Sequence, residues 1–185
     1  KRWRSKDFPA AREVTVGLLG VGELAQAAAK ALMTLGFDVQ GWSRTRREGL
    51  DFRSFAGEAE RAAFLAGTDI LVSLLPSTPQ TRGMLDGATF RALRRDGVFG
   101  VPVFINAGRG DTVKETDLLS ALTDGVLRAA SLDVFVTEPL PQDNPFWSLP
   151  NVFLTPHNAA DSSPEAVVAA VAMEIARFEN GLPPL

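Results

Sequence analysis

Short apolar runs alternating with helical segments constrain this chain more than any other feature. Val14-Thr15-Val16-Gly17-Leu18-Leu19-Gly20 is rich in β-branched residues and bounded by glycine, so it reads as a buried strand. Leu24 to Leu35 is alanine-rich with helical spacing and stops at Gly36, a residue suited to closing a helix. Further strands are predicted over Phe37 to Trp42, Ile70 to Leu75, Val103 to Asn106, Ala129 to Val134 and Val152 to Thr155. Further helices are predicted over Asp86 to Leu93 and Lys114 to Leu122. Ser163-Pro164-Glu165 opens a last helix, with a cap serine, proline at the first helical position and then an acid; it runs to about Asn180-Gly181. The strands are apolar on both faces, the pattern of a parallel sheet covered by helices on each side. The expected fold class is α/β, a doubly wound parallel sheet in one domain, with a core over residues 12–160 and a closing helix over 163–180.

Composition narrows the functional classes. The 185 residues are 45% hydrophobic and 22% charged, enough to bury one core. A net charge of −3 gives no reason to expect a nucleic-acid partner. The absence of cysteine removes disulfides, thiolate metal sites and cysteine nucleophiles, and no metal site is predicted. No apolar run is long enough to cross a bilayer, and Lys1-Arg2-Trp3-Arg4 leads into polar residues and Pro9 rather than a signal segment. A cytoplasmic protein without a membrane partner is expected.

Gly20-Val21-Gly22-Glu23-Leu24-Ala25 joins the first strand to the first helix in a G-x-G-x-x-A pattern, a permitted form of the dinucleotide fingerprint. Gly20 suits the tight turn, Gly22 lets the backbone approach a pyrophosphate, and Ala25 lets helix and strand pack closely. The helix start, at Glu23 and Leu24, supplies N–H groups and partial positive charge for phosphates. Such triplets also occur in plain turns; here the strand before, the helix behind and the second strand after favour the binding role. The end of that second strand selects the cofactor. An NAD site usually places an acid there for the ribose hydroxyls. This chain instead has Trp42-Ser43-Arg44-Thr45-Arg46-Arg47. Ser43, Arg44 and Thr45 would bind a ribose 2′-phosphate that an acid would repel, so NADPH is expected over NADH, with NAD still admissible. The plain alternative is a solvated arginine loop.

Three further segments fall at strand ends. The only histidine, His157, lies in Thr155-Pro156-His157-Asn158-Ala159-Ala160; Arg109 stands between two glycines in Asn106-Ala107-Gly108-Arg109-Gly110; and Asp133 to Pro139 carries Asp133 and Glu138. In an open parallel sheet such loops share the carboxyl edge, where ligands bind. Reduction of a 2-oxoacid needs hydride delivery, a proton for the oxygen and a cation for the carboxylate. His157 can give the proton, Glu138 can orient the imidazole and favour its protonated form, and Arg109 can hold the carboxylate. Each residue alone has a bland reading as a surface or capping group; their coincidence at successive strand ends favours the catalytic one.

These blocks, Asn106 to Gly110, Leu132-Asp133-Val134-Phe135 with Glu138-Pro139-Leu140-Pro141, and Pro156 to Ala160, resemble the signatures of the D-isomer-specific 2-hydroxyacid dehydrogenases. Leu74-Leu75-Pro76-Ser77-Thr78-Pro79-Gln80-Thr81 resembles that family's loop beside the cofactor, and Asn144 to Trp147 with Pro150 to Val152 its connector before the histidine strand. The Trp42 to Thr45 stretch is most similar to the glyoxylate/hydroxypyruvate reductase branch. The resemblance, over residues 12–180, implies a Rossmann-type NAD(P)-binding domain and catalytic roles for Arg109, Glu138 and His157. It implies cofactor contacts from Leu75, Pro76, Thr81, Asn106, Ala107, Gly108, His157 and Ala159, and a hold on the nicotinamide carboxamide by Asp133, which by itself could equally be a strand-end cap. It also implies a small 2-oxoacid substrate and a homodimer paired through this domain.

Two departures qualify the resemblance. Only a dozen residues precede the first strand, so the family's substrate domain is expected to be largely absent and turnover by these residues poor. Asp96 to Val103 is longer than the usual approach to the arginine strand, which leaves room for a lengthened loop or a shifted strand start. Val167, Val168, Val171, Ile175 and Phe178 recur at helical spacing in the last helix and are expected to pack on the sheet rather than form an interface. The rival from another class is a non-catalytic dinucleotide sensor or corepressor-like module on the same fold. A formate-dehydrogenase-like enzyme ranks lower, because that branch carries glutamine where Glu138 stands.

Overall fold

A computed structural model describes residues 8–160 and 163–183; the Lys1 to Arg4 start and the Pro184-Leu185 end lie outside the described residues. Seven parallel strands form one sheet: β1 (Thr15–Leu19), β2 (Asp38–Ser43), β3 (Arg53–Ala56), β4 (Ile70–Ser73), β5 (Val103–Asn106), β6 (Ala129–Leu132) and β7 (Val152–Leu154). Their order is β3-β2-β1-β4-β5-β6-β7, so the winding reverses between β1 and β4. The helices are α1 (Glu23–Thr34), α2 (Gly57–Ala66), α3 (Gly87–Arg91), α4 (Glu115–Thr123) and α5 (Pro164–Glu179). This is the expected doubly wound α/β fold.

Both sheet faces are apolar because the buried runs point side chains alternately to either side. On one face Phe64 and Leu65 of α2, Phe90 of α3 and Leu118 of α4 pack with Leu19, Leu71, Phe104 and Leu132. On the other, Val16, Leu18 and Val39 meet Ala25 and Ala29 of α1, whose small side chains let that helix sit low on the sheet. Gly17 is the one glycine inside β1. A methyl group there would run into the Thr68 side chain and approach Phe64 Cζ to 3.0 Å, so the residue keeps room for the end of α2.

The cap expected at Ser163 is present, and Asp86 caps α3 in the same way. The Asp86 carboxylate accepts from Thr89 N at 2.9 Å, and Ser163 Oγ accepts from Ala166 N at 3.1 Å. The long Asp96 to Pro102 connection is absorbed before β5, which starts at Val103 as expected and leaves the arginine loop in place.

Two features depart from the expectations. The segment between Trp42 and Ile70 carries a strand and a helix, β3 and α2, that the sequence pattern did not announce. β3 is an edge strand with one large apolar residue, Phe55, and α2 begins at Gly57 without a capping side chain at its N-cap. The role of the cap falls to Glu60, which reaches back to accept from Ala56 N at 2.8 Å. The second departure concerns α5, which does not pack on the sheet. None of its residues is buried, and Val168 and Phe178 are 67% and 80% exposed. The apolar stripe of Val167, Val168, Val171, Ile175 and Phe178 exists, but it is exposed rather than covered. Along the α1 face, exposure grows from Leu18 through Val72, Ile105 and Ser131 to Phe153, which is 74% exposed. Packing of α5 on the sheet was expected and is not found.

Gly17→Ala is expected to lower unfolding stability by about 1–3 kcal/mol, the range for overfilling a packed site, as read from the urea midpoint.

Candidate active site

Because every strand is parallel, all seven exits open on one rim, and the sequence-selected residues lie there. Gly20 turns the chain out of β1 with φ +97, a conformation L side chains rarely adopt, and its Cα faces the Leu74 carbonyl of the neighbouring exit. A Cβ at Gly22 would meet nothing within 4 Å, so an open cradle stands at the α1 N-terminus. Around it a cavity of about 530 Å³ is lined by Gly20, Gly22, Ser43, Arg44, Thr45, Leu75, Pro76 and Thr81, which the sequence selected, and by Arg47, Thr78, Gln80 and Glu58, which it did not. Glu23 lies aside, on a smaller groove with Lys30 and Phe52, and Leu24 is half exposed on the first turn of α1.

The arginine cluster splits in two. Arg46 turns away to pair with Glu60, and its other nitrogen donates weakly to Ser54 O at 3.4 Å. Arg44 and Arg47 remain on the cavity wall. Ser43 Oγ donates to Thr45 O at 2.8 Å, which folds the start of this loop on itself.

The arginine loop is held by its two glycines. A Cβ on Gly108 would lie 2.7 Å from Leu75 O, and one on Gly110 would collide with the Phe135 backbone. The loop after β5 is thus wedged between those after β4 and β6, and only glycine fits at either contact. Asn106, 1% exposed, braces it from within: Oδ1 accepts from Gly108 N at 3.2 Å and Nδ2 donates to Arg109 O at 3.3 Å. Ala107 N donates to Ser73 O at 3.1 Å. Asn106, Ala107 and Gly108, which the resemblance assigned to the cofactor, thus also build the loop through these bonds. Arg109 itself is exposed, and its Nη1 rests on Gly108 O at 2.7 Å. Among the described residues it makes no hydrogen bond to Glu138 or His157.

The imidazole and the carboxylate do meet. His157 Nδ1 lies 2.8 Å from Glu138 Oε2, and Glu138 Oε1 accepts from Phe135 N at 2.9 Å, so both carboxylate oxygens are engaged. Burial pushes the Glu138 carboxyl up, but the His157 hydrogen bond, the Phe135 N–H and the imidazole's charge outweigh it and hold it below the ordinary glutamate range, against the Asp133 charge. Both side chains line a largely apolar cavity of about 490 Å³ with Phe135, Leu140, Trp147 and Leu154. Asp133, 5% exposed, accepts from Thr155 Oγ1 at 2.6 Å, Asn158 N at 3.0 Å and Ala159 N at 3.1 Å. Burial raises its carboxyl, and these three donors with the His157 charge more than reverse that, leaving it below the usual range. Thr155 carries no mark in the sequence beyond its place two residues before the histidine.

A glycine turn at the winding reversal, a basic second-strand exit and a His–Glu pair on the same rim define a dinucleotide-binding domain. The model of the D-isomer specific 2-hydroxyacid dehydrogenase NAD binding domain matches residues 1–159, and the chain belongs to that family. It is 44% identical over 184 residues to a glyoxylate/hydroxypyruvate reductase A of Serratia proteamaculans, covering 100% of this chain and 57% of that protein. Among solved structures it is similar to an NADPH-dependent glyoxylate/hydroxypyruvate reductase from Sinorhizobium meliloti in complex with NADP and sulfate, at 50% identity and a TM-score of 0.93 over 98% of this chain and 57% of that one. A probable 2-hydroxyacid dehydrogenase from Rhizobium etli CFN 42 in complex with NADP, HEPES and L(+)-tartaric acid is 53% identical, with a TM-score of 0.92 and the same coverage. The chain thus spans a little over half the length of these relatives.

Both depressed carboxyls stabilise the loops above the ordinary carboxylate range, and that contribution is lost as pH falls through their folded values. Urea midpoints of the wild type are expected to fall on acidification through this window, and those of Asp133→Asn, lower at neutral pH, to fall less steeply.

Proposed function

We propose that this chain is the nucleotide-binding part of an NADPH-dependent 2-oxoacid reductase that takes glyoxylate or hydroxypyruvate to the 2-hydroxyacid. The observation that carries the proposal is the 2.8 Å contact between His157 Nδ1 and Glu138 Oε2, on the rim where the glycine turn and the basic loop open. The relatives' complexes with NADP and their reductase activity support it.

The residues present fit the cofactor. Gly20 and Gly22 leave backbone room for a pyrophosphate at the start of α1, and Ser43, Arg44, Thr45 and Arg47 surround the place where a ribose 2′-phosphate would end. When bound, the reduced nicotinamide supplies a hydride to a carbonyl carbon. With Nδ1 held by Glu138, His157 presents Nε2 as the proton donor to the carbonyl oxygen, and the Glu138 carboxylate stabilises the imidazolium before transfer. Arg109 leaves Gly108 O to bind the substrate carboxylate, its loop fixed on both flanks by glycine contacts. The 185 residues alone bind cofactor with little or no turnover, because one wall of a closed cleft is needed to position substrate and exclude water. Pairing of two copies through this domain and a cytoplasmic location complete the reading.

Fluorescence titration is expected to give NADPH at least about tenfold tighter binding than NADH, and Arg44→Ala to remove most of that preference, as loss of a charged hydrogen bond implies. Equal affinities in the wild type would overturn the assignment. Gly22→Ala is expected to leave stability within about 0.5 kcal/mol yet weaken both cofactors, since its Cβ enters only the open cradle.

A further inference from the structure

Asp133 takes hold of the whole 155–159 segment. Its carbonyl accepts from His157 N at 2.9 Å, its Oδ1 from Thr155 Oγ1 and Asn158 N, and its Oδ2 from Ala159 N. Inside that grip His157 has φ 54, the one non-glycine residue in the left-handed region among the described residues. A histidine in that conformation needs its surroundings to impose it. The backbone amides of Asn158 and Ala159 come with any sequence. The Thr155 hydroxyl is the only side-chain donor on Asp133 among the described contacts, and at 2.6 Å it is the shortest of the set. Thr155 is itself exposed, so its hydroxyl has water as a ready alternative partner.

We infer that Thr155 is a positioning residue for His157, acting through Asp133. Its hydroxyl fixes the rotation of the Asp133 carboxylate, so that the two oxygens meet the amides of Asn158 and Ala159. Those bonds hold the left-handed turn, and the turn delivers Nδ1 to Glu138. Without the hydroxyl the carboxylate can rotate, the turn relaxes and the imidazole withdraws from Glu138. The inference rests on the reading of His157 and Glu138 as the proton-transfer pair.

Glu138 reports the contact directly. The charged groups on neighbouring elements include Asp133 and His157, Glu115 of α4, whose carboxylate accepts from Val136 N at 2.9 Å, and Arg109 on the β5 loop; the threonine substitutions change none of these residues, so a moved midpoint reports a moved contact. The 185-residue chain is labelled with 13C at glutamate carboxyls, and the Glu138 titration is followed by NMR in the wild type, His157→Ala, Thr155→Val and Thr155→Ser. His157→Ala is expected to raise the Glu138 midpoint. Thr155→Val is expected to raise it part of the way, with amide shifts outside 133–159 unchanged, and Thr155→Ser to restore the wild-type value. A Glu138 midpoint that moves in His157→Ala but not in Thr155→Val overturns the inference and leaves the pair standing. A midpoint that moves in neither overturns both. Should the valine variant fail to fold, Thr155→Ala is scored by the same criteria.

Discussion

Uniform strand direction and one continuous register underlie everything at the site. Phe55, Trp42, Leu19, Ser73, Asn106, Leu132 and Leu154 form a single row across the sheet from β3 to β7. Each exit loop begins at or just beyond that row, so residues far apart in sequence are levelled to the same height. Ser43 and Gly20 stand one position past it, Leu75 two, Arg109 and His157 three. No long-range side-chain contact has to bring them together, because the backbone ladder already does.

Levelling alone leaves loops free to sway, and close backbone contacts restrict that freedom. Gly20 lies against Leu74, Gly108 against Leu75 and Gly110 against Phe135, so the exits of β1, β4, β5 and β6 form a linked series. The last link, from β6 to β7, is polar: Asp133 grips the His157 loop and Glu138 receives the imidazole. The site thus passes from close backbone packing beside the glycine turn to charged hydrogen bonds at His157. Both oxygens of the Glu138 carboxylate are engaged there, one by the imidazole and one by Phe135 N, so the ring is oriented by a group that is itself held.

Much of this was legible from residue types. The glycine turn, the cap at Ser163 and the strand-end positions of Arg109, Glu138 and His157 follow from local chemistry, and the structure places each on the expected element. What escaped the sequence depended on tertiary partners. β3 owes its existence to β2, since Arg53-Ser54-Phe55-Ala56 has too little apolar pattern to declare a strand alone. α2 is capped by a side chain inside itself, Glu60, rather than by the residue before it. The stripe on α5 has the periodicity of a packed helix, yet periodicity reports only that a face is apolar and not what covers it. The three arginines after β2 look alike in sequence, and only the fold shows that Arg46 belongs to Glu60. Asp133 could be read from the sequence as a cofactor contact or a strand-end cap, and only the fold shows the three donors through which it holds the next loop.

The long Asp96 to Pro102 connection enters the sheet at the opposite edge from the site. There Gly97 crowds Asp69, whose carboxylate takes Thr15 N at 2.9 Å and faces Arg94 at 3.4 Å, so the added residues are anchored at the floor of the sheet. Substitutions in that basement would meet the Asp69 network before they reached the arginine loop, which is held separately, at the opposite rim, by Gly108 and Gly110.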